Sequence, residues 1–322
     1  MTTFAQPSDD EDDFVTLEDT DKALPEIITQ STRYLYFKTI ARGGKSIIQS
    51  CKDNHLGRVI CYKSLRPEFA DDRVEQTRFL REARVSARLQ HPNIVPIYEV
   101  GRNSTGHYFF TMKLVHGYTL RELLDYRERY DLKQLMDVLI QVVHALEYAH
   151  AHRVMHRDIK PENILVGRYG EIQLLDWGLA KVWHADGSPV GADDDLTPVD
   201  QADASLDEPV ETITGQAELQ GTAAYMSPEQ IRRDPQIDYR SDVYSLGVIM
   251  YEILAGQTPH QAETVREMIE QIQTVVPPRP SSITRYAIPS LLEQLTMKCI
   301  AKKPEDRIQS CTEVVRLLHE DW

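Results

Sequence analysis

The chain has 322 residues, a net charge of −14, 41% hydrophobic and 8% aromatic residues, enough for two lobes around a substantial core. No apolar run approaches the roughly 18–20 residues that cross a bilayer, no clustered basic face suggests nucleic acid, and the acidic start is unlike a secretory signal. Cys51, Cys61, Cys299 and Cys311 have neither metal-ligand spacing nor a disulfide framework, which points to a reducing cytoplasm.

Residues 1–32 hold nine acids and one lysine, including Asp9-Asp10-Glu11-Asp12-Asp13, and read as an acidic disordered tail. Order is expected to begin near Tyr34. Alternating patterns predict strands over 34–40, 46–51 and 58–64 with a turn at Asp53-Asn54, a helix over 72–89, and strands over 94–101 and 107–114. These make a small mixed lobe, 33–115, that ends in a hinge near Met112-Val115. A second lobe follows over 116–322. Past Gly117 the period changes to 3.6: Thr119-Leu-Arg-Glu122 has capping-box spacing, and Leu135, Val138, Leu139, Val142, Val143, Leu146 and Ala149 form one apolar stripe. A hairpin is expected from Ile164 to Leu175, turning at Gly167-Arg168-Tyr169-Gly170. Residues 181–220 carry ten acids and one lysine, and the stretch 182–220 is too long and polar for an ordinary connection. With both acidic segments set aside, the rest of the chain carries about +3, so the folded core is nearly neutral. From Ser241 a helix is expected that is apolar nearly all round from Val243 to Leu254 and stops at Gly256, the signature of a buried axis.

The chemistry concentrates in His156-Arg157-Asp158-Ile159-Lys160-Pro161-Glu162-Asn163 and, thirteen residues after Asn163, in Asp176-Trp177-Gly178. Phosphoryl transfer from a metal nucleotide needs such a set. One carboxylate orients and deprotonates a hydroxyl, a second carboxylate and an amide hold divalent metal, and a lysine neutralises charge on the moving group. With Asp176-Trp-Gly-Leu-Ala-Lys181 and Gly221-Thr-Ala-Ala-Tyr-Met-Ser-Pro-Glu229, this pattern resembles the eukaryotic-like (Hanks-type) serine/threonine protein kinases, in their bacterial branch. The resemblance covers 34–318. It implies an α+β two-lobe fold, with a five-stranded antiparallel sheet and one helix in the first lobe and a larger, mainly helical second lobe.

The resemblance also implies roles. Asp158 would accept the hydroxyl proton, Lys160 would stabilise the γ-phosphate, and Asn163 and Asp176 would ligate Mg²⁺, with Mn²⁺ as a substitute. Lys63, in Ile60-Cys61-Tyr62-Lys63, would contact the α- and β-phosphates of ATP and pair with Glu82 of Phe79-Leu-Arg-Glu-Ala83; Glu75 is a nearby competitor. Cys61 stands where alanine usually covers adenine, and Ile48, Met112, Leu114 and Leu165 complete the nucleotide pocket. The phosphate loop departs from the family's Gly-x-Gly-x-x-Gly: Ala41 and Ser46 replace the outer glycines, while Gly43 and Gly44 remain. Such glycines let backbone approach phosphate and adopt positive φ, so a weaker nucleotide grip is expected. Trp177 replaces the usual phenylalanine and should pack beneath the helix carrying Glu82.

Thr222 would contact Asp158 and Lys160, Glu229 and Arg307 would form a buried ion pair, and Asp242 would hold the catalytic-loop backbone. Arg157 with Thr212 and Thr214, in the long acidic activation segment 182–220, suggests a phosphate switch; Thr197 and Ser205 are further acceptors, and the segment's own acids are an alternative partner for Arg157. Protein substrates, ATP, autophosphorylation and a homodimer that supports it follow from the resemblance. A pseudokinase scaffold rests only on the altered glycines, and a small-molecule phosphotransferase is disfavoured by Ser227-Pro-Glu229.

Overall fold

The computed structural model describes residues 23–24, 29–183 and 221–321. A short helix, α1 (Gln30–Arg33), leads into five strands: β1 (Tyr34–Arg42), β2 (Ser46–Asp53), β3 (Arg58–Leu65), β4 (Ile97–Arg102) and β5 (Tyr108–Met112). They form one antiparallel sheet in the order β1-β2-β3-β5-β4. Helix α2 (Arg73–Arg88) starts where Asp72 accepts from the Val74 and Glu75 amides, a side-chain cap for otherwise orphaned donors. Its Phe79 and Ala83 pack against Cys61, Leu65, Val95, Phe110 and Met112 on one face of the sheet. Tyr34, Cys51, Ile60, Tyr62 and Phe109 form a second cluster, with Tyr62 and Phe109 stacked at 4.6 Å.

The first three strands run one or two residues past the sequence reading, and the last two are shorter than it. β4 begins at Ile97, not 94, because Pro96 lacks the amide hydrogen a ladder needs. Ile94 instead bridges Leu174 in the following lobe. β5 covers only Tyr108–Met112 of the expected 107–114.

Beyond the hinge, β6 (Gly117–Thr119), β8 (Ile164–Gly167) and β9 (Ile172–Leu174) make a small sheet, and β7 (Val154–Met155) pairs with β10 (Lys181–Val182). Helices α3 (Leu120–Asp125) and α4 (Leu132–Ala151) both open on capping boxes, at Thr119/Glu122 and Asp131/Gln134. Every residue of the apolar stripe on α4 is buried. Next come α5 (Pro228–Ile231), α6 (Arg240–Ala255), α7 (Val265–Thr274), α8 (Ser290–Cys299) and α9 (Cys311–Asp321). All residues of α6 from Ser241 to Leu254 are buried, so it is the axis around which α4 and α8 pack. Gly256 ends it at φ +78°, a conformation that costs other residues about 1–2 kcal/mol.

All four cysteines are buried free thiols. Among the described residues no helix is long and apolar enough to cross a membrane. The acidic tail up to 22 and the segment 184–220, with Thr197, Ser205, Thr212 and Thr214, lie outside the described residues.

Candidate active site

Buried Asp242, at the start of α6, organises the loop that links β7 to β8. Its Oδ2 accepts from the His156 amide and its Oδ1 from the Arg157 amide, both at 2.8 Å. His150 Nε2 also meets Oδ2 at 2.8 Å. These bonds hold Arg157 at φ +70°, and Arg153 (+61°) and Asp176 (+62°) share the left-handed region. Such conformations persist only where surroundings over-determine them, and they cluster at functional sites. His156 itself donates from Nε2 to the Leu175 carbonyl at 2.9 Å, which leaves Nδ1 to accept from the Asp158 amide at 3.2 Å. Its ring lies 4.5 Å from Trp177. Trp177 is fully buried in a cluster that includes Val85 of α2 and Leu89 just beyond it, and its indole N–H finds no acceptor among the described residues.

The loop so fixed brings four predicted residues together. Lys160 Nζ lies 3.0 Å from Asp158 Oδ2 and 3.4 Å from Thr222 Oγ1. Asn163 donates from Nδ2 to the Asp158 carbonyl at 2.8 Å and to Oδ2 at 2.9 Å. Its amide nitrogen is thereby spent on the aspartate, and its oxygen is the end left for a metal. Asp176 Oδ1 accepts from the Gly178 amide at 3.3 Å.

From the sheet lobe, Lys63 Nζ bonds both Glu82 oxygens at 2.7 Å. The competitor Glu75 is engaged elsewhere, by Lys45 at 2.5 Å and Arg78 at 3.1 Å. Burial works against the Lys63 charge, but Glu82 and Asp176 outweigh it and its pKa rises. The two aspartates are pushed apart. Burial raises Asp158, opposed by Lys160 and reinforced by the Asp176 charge. Asp176 is also buried, yet Lys63 and Lys160 together hold it down. One carboxyl inclined toward a proton beside one kept ionised is the division that a base and a metal ligand require.

In the nucleotide cleft, Cys61 faces Met112 across β3 and β5. Ile48 and Leu114 pack on the same cluster, as does Leu175. Leu165 is not part of that cluster; it sits half-buried on β8 opposite Thr119 and Gln173. Burial pushes the Cys61 thiol up to about 12, so it acts as a small apolar group.

The phosphate loop is a hairpin tip of ordinary backbone geometry. Neither Gly43 nor Gly44 has a positive φ, and a Cβ on Gly43 would meet Ser46 Oγ at an ordinary 3.5 Å. Gly43 donates to the Ser46 carbonyl at 2.9 Å, and Ala41 pairs opposite Ile48. Ala41–Ile48 and Arg42–Ile47 pair at the tip of the hairpin, past a register shift between Thr39 and Ala41. Sequence reasoning missed how its tip is held: Lys45 reaches Glu75, and Arg66 Nη1 donates to the Gly44 carbonyl at 3.0 Å. Side chains from β3's end and from α2 thus fasten the loop.

Arg307 and Glu229 form a buried bidentate pair at 2.6 and 2.7 Å. Ser241 donates to the same Glu229 at 2.7 Å. Ser245 donates to the Tyr225 carbonyl at 2.8 Å, and Gln230 Nε2 to the Arg157 carbonyl at 2.7 Å. The 222–230 segment is therefore bound to both α6 and the catalytic loop. Among the described residues no group of three or more His, Cys, Asp or Glu could hold a metal ion unaided. Asp176 and Asn163 offer the hard oxygen donors that suit a divalent metal ion, with the remaining oxygens left to water and phosphates.

Residues 34–322 match the family model described as protein kinase domain. A probable serine/threonine-protein kinase of Clostridium acetobutylicum is 33% identical over 88% of this chain and 39% of its own length. The serine/threonine-protein kinase PknD of Protochlamydia amoebophila is 33% identical over 89% of this chain and 30% of its own. PknD of Mycobacterium tuberculosis is 31% identical over 92% and 41%. The chain thus spans about two fifths or less of these relatives. With the family's motifs gathered in one cleft between two lobes, the chain belongs to the protein kinase domain family, among the bacterial serine/threonine kinases.

Proposed function

We propose that this chain transfers the γ-phosphate of ATP to serine and threonine hydroxyls of proteins, its own included. The observation that carries the reading is the joint assembly of Lys63–Glu82, Asp158–Lys160 and Asn163 in the described structure. Asp158 takes the hydroxyl proton, Lys63 holds the α- and β-phosphates, and Lys160 meets the charge that develops on the γ-phosphate. Asp176 and Asn163 would hold Mg²⁺ or Mn²⁺, which when bound neutralises phosphate charge. Lys160 joined to Thr222 supports Ser/Thr over Tyr acceptors.

Arg157 with Thr212 or Thr214 as a phosphate switch, phosphorylation in trans within a homodimer, and a cytoplasmic setting consistent with four free thiols are parts of the same proposal. Incubation with Mg²⁺ and labelled ATP, followed by site mapping, tests it. Phosphate on Ser or Thr, with Thr212 or Thr214 among the sites, is the expected result. Label confined to Tyr, or none, contradicts it.

A further inference from the structure

Lys45, at the tip of the β1–β2 hairpin, is none of the groups that meet substrate or nucleotide in the scheme above. Its Nζ donates to Glu75 Oε1 at 2.5 Å, and Arg78 Nη1 holds the same oxygen at 3.1 Å. The Glu75 side chain is 10% exposed and that of Lys45 45% exposed, so the pair is partly shielded from water. Ala41 to Lys45 are otherwise all exposed. Arg66, just past β3, braces the same tip: its amide donates to the Lys45 carbonyl at 2.9 Å and its Nη1 to the Gly44 carbonyl at 3.0 Å.

Glu75 lies seven residues before Glu82 on α2, two turns along and on the same face. Each of these carboxylates takes a lysine from the sheet. Glu82 receives Lys63 of β3, and Glu75 receives Lys45 of the phosphate loop. A helix held by one ion pair can still pivot about it. Held at two points about 10 Å apart, it cannot turn without breaking one of them. The two lysines also share a strand ladder, since Ser46 pairs opposite Leu65 and Ile48 opposite Lys63. Sheet, loop tip and helix thus close a ring of contacts that joins the placement of the loop to the placement of Glu82.

We propose that Lys45 is a positioning residue for ATP. Its clasp on Glu75 keeps the phosphate loop closed over the cleft while α2 presents Glu82 to Lys63, and Lys45 itself does not touch the nucleotide. The clasp offsets the weaker grip expected from Ala41 and Ser46, because a loop fixed beforehand need not be ordered by its ligand. Without it the closed form is less populated, and apparent affinity for ATP falls in proportion. This rests on the kinase reading above.

The test compares wild type, Lys45→Ala, Glu75→Gln and the double variant, by kinetics against ATP and by melting with Mg-ATP or adenosine. Each single variant should raise KM for ATP about fivefold, the upper end for a partly exposed pair, with kcat changed by less than about twofold. The double variant should be no worse than either single one, since both break the same clasp. Stabilisation by Mg-ATP should shrink in all three variants. Stabilisation by adenosine, which has no phosphates for the loop to cover, should stay at the wild-type value. A raised KM in Lys45→Ala but not in Glu75→Gln overturns the proposal, because Lys45 would then act on the phosphates directly. So do effects that multiply in the double variant, an unchanged KM throughout, or an equal loss with adenosine. Should wild type transfer no phosphate, the kinase reading fails, and the melts with Mg-ATP and adenosine still decide the clasp.

Discussion

Asp242 touches neither acceptor nor nucleotide in this account, yet it fixes the backbone that carries Asp158. Its partner His150 makes that support sensitive to pH. Burial disfavours the imidazolium, but Cys311 and Asp242 outweigh it, and the pKa rises from 6.5 to about 10. A raised folded-state pKa gives stability that is complete below the unfolded value and is lost as pH climbs through the folded one. His150→Gln should therefore lower the melting temperature by several degrees at pH 6 and by much less at pH 10. Thermal melts of both proteins across that range check this, and an unchanging gap contradicts it. At Arg307 the logic is burial without exposure. Its side chain is 0% exposed and Glu229 is 4% exposed, so Arg307→Ala strands a buried carboxylate and should cost about 3–5 kcal/mol in chemical denaturation.

Among the elements, those with a strong local signal were legible in advance. Helix α6 could be read because the stretch from Val243 to Leu254, apolar nearly all round, has nowhere to go but the interior. The cap at Thr119 and the stripe on α4 carried similarly local marks. β4 was misjudged at its start because apolar content outvoted Pro96, and the backbone donor decided the outcome. The weaker nucleotide grip expected from Ala41 and Ser46 is a question for nucleotide binding; the backbone itself has no positive φ at Gly43 or Gly44. Lys45 and Arg66, which fasten the loop's tip, find partners 30 and 22 residues away, and no local pattern marks them. The catalytic loop was legible for the opposite reason, since Asp158, Lys160 and Asn163 lie within six residues and one bend brings them together.

At the scale of the molecule, the two lobes contribute different halves of one reaction centre. The sheet lobe supplies Lys63 and Glu82, and the helical lobe supplies Asp158, Lys160, Asn163 and Asp176. Charge couples them across the cleft, since Asp176 of one lobe helps hold Lys63 of the other in its ionised form. The proposed transfer rests on this centre, and Asp158 is its proposed base. Deleting the base should cost about 10²–10⁴-fold in rate while sparing nucleotide binding. The decisive measurement is transfer of labelled phosphate from Mg-ATP by wild type and Asp158→Asn, side by side, with nucleotide-dependent thermal stabilisation recorded for each. Wild type should label Ser or Thr, the variant should fall by that amount, and both should show the same stabilisation. Equal label from the two proteins, or none from wild type, would contradict it.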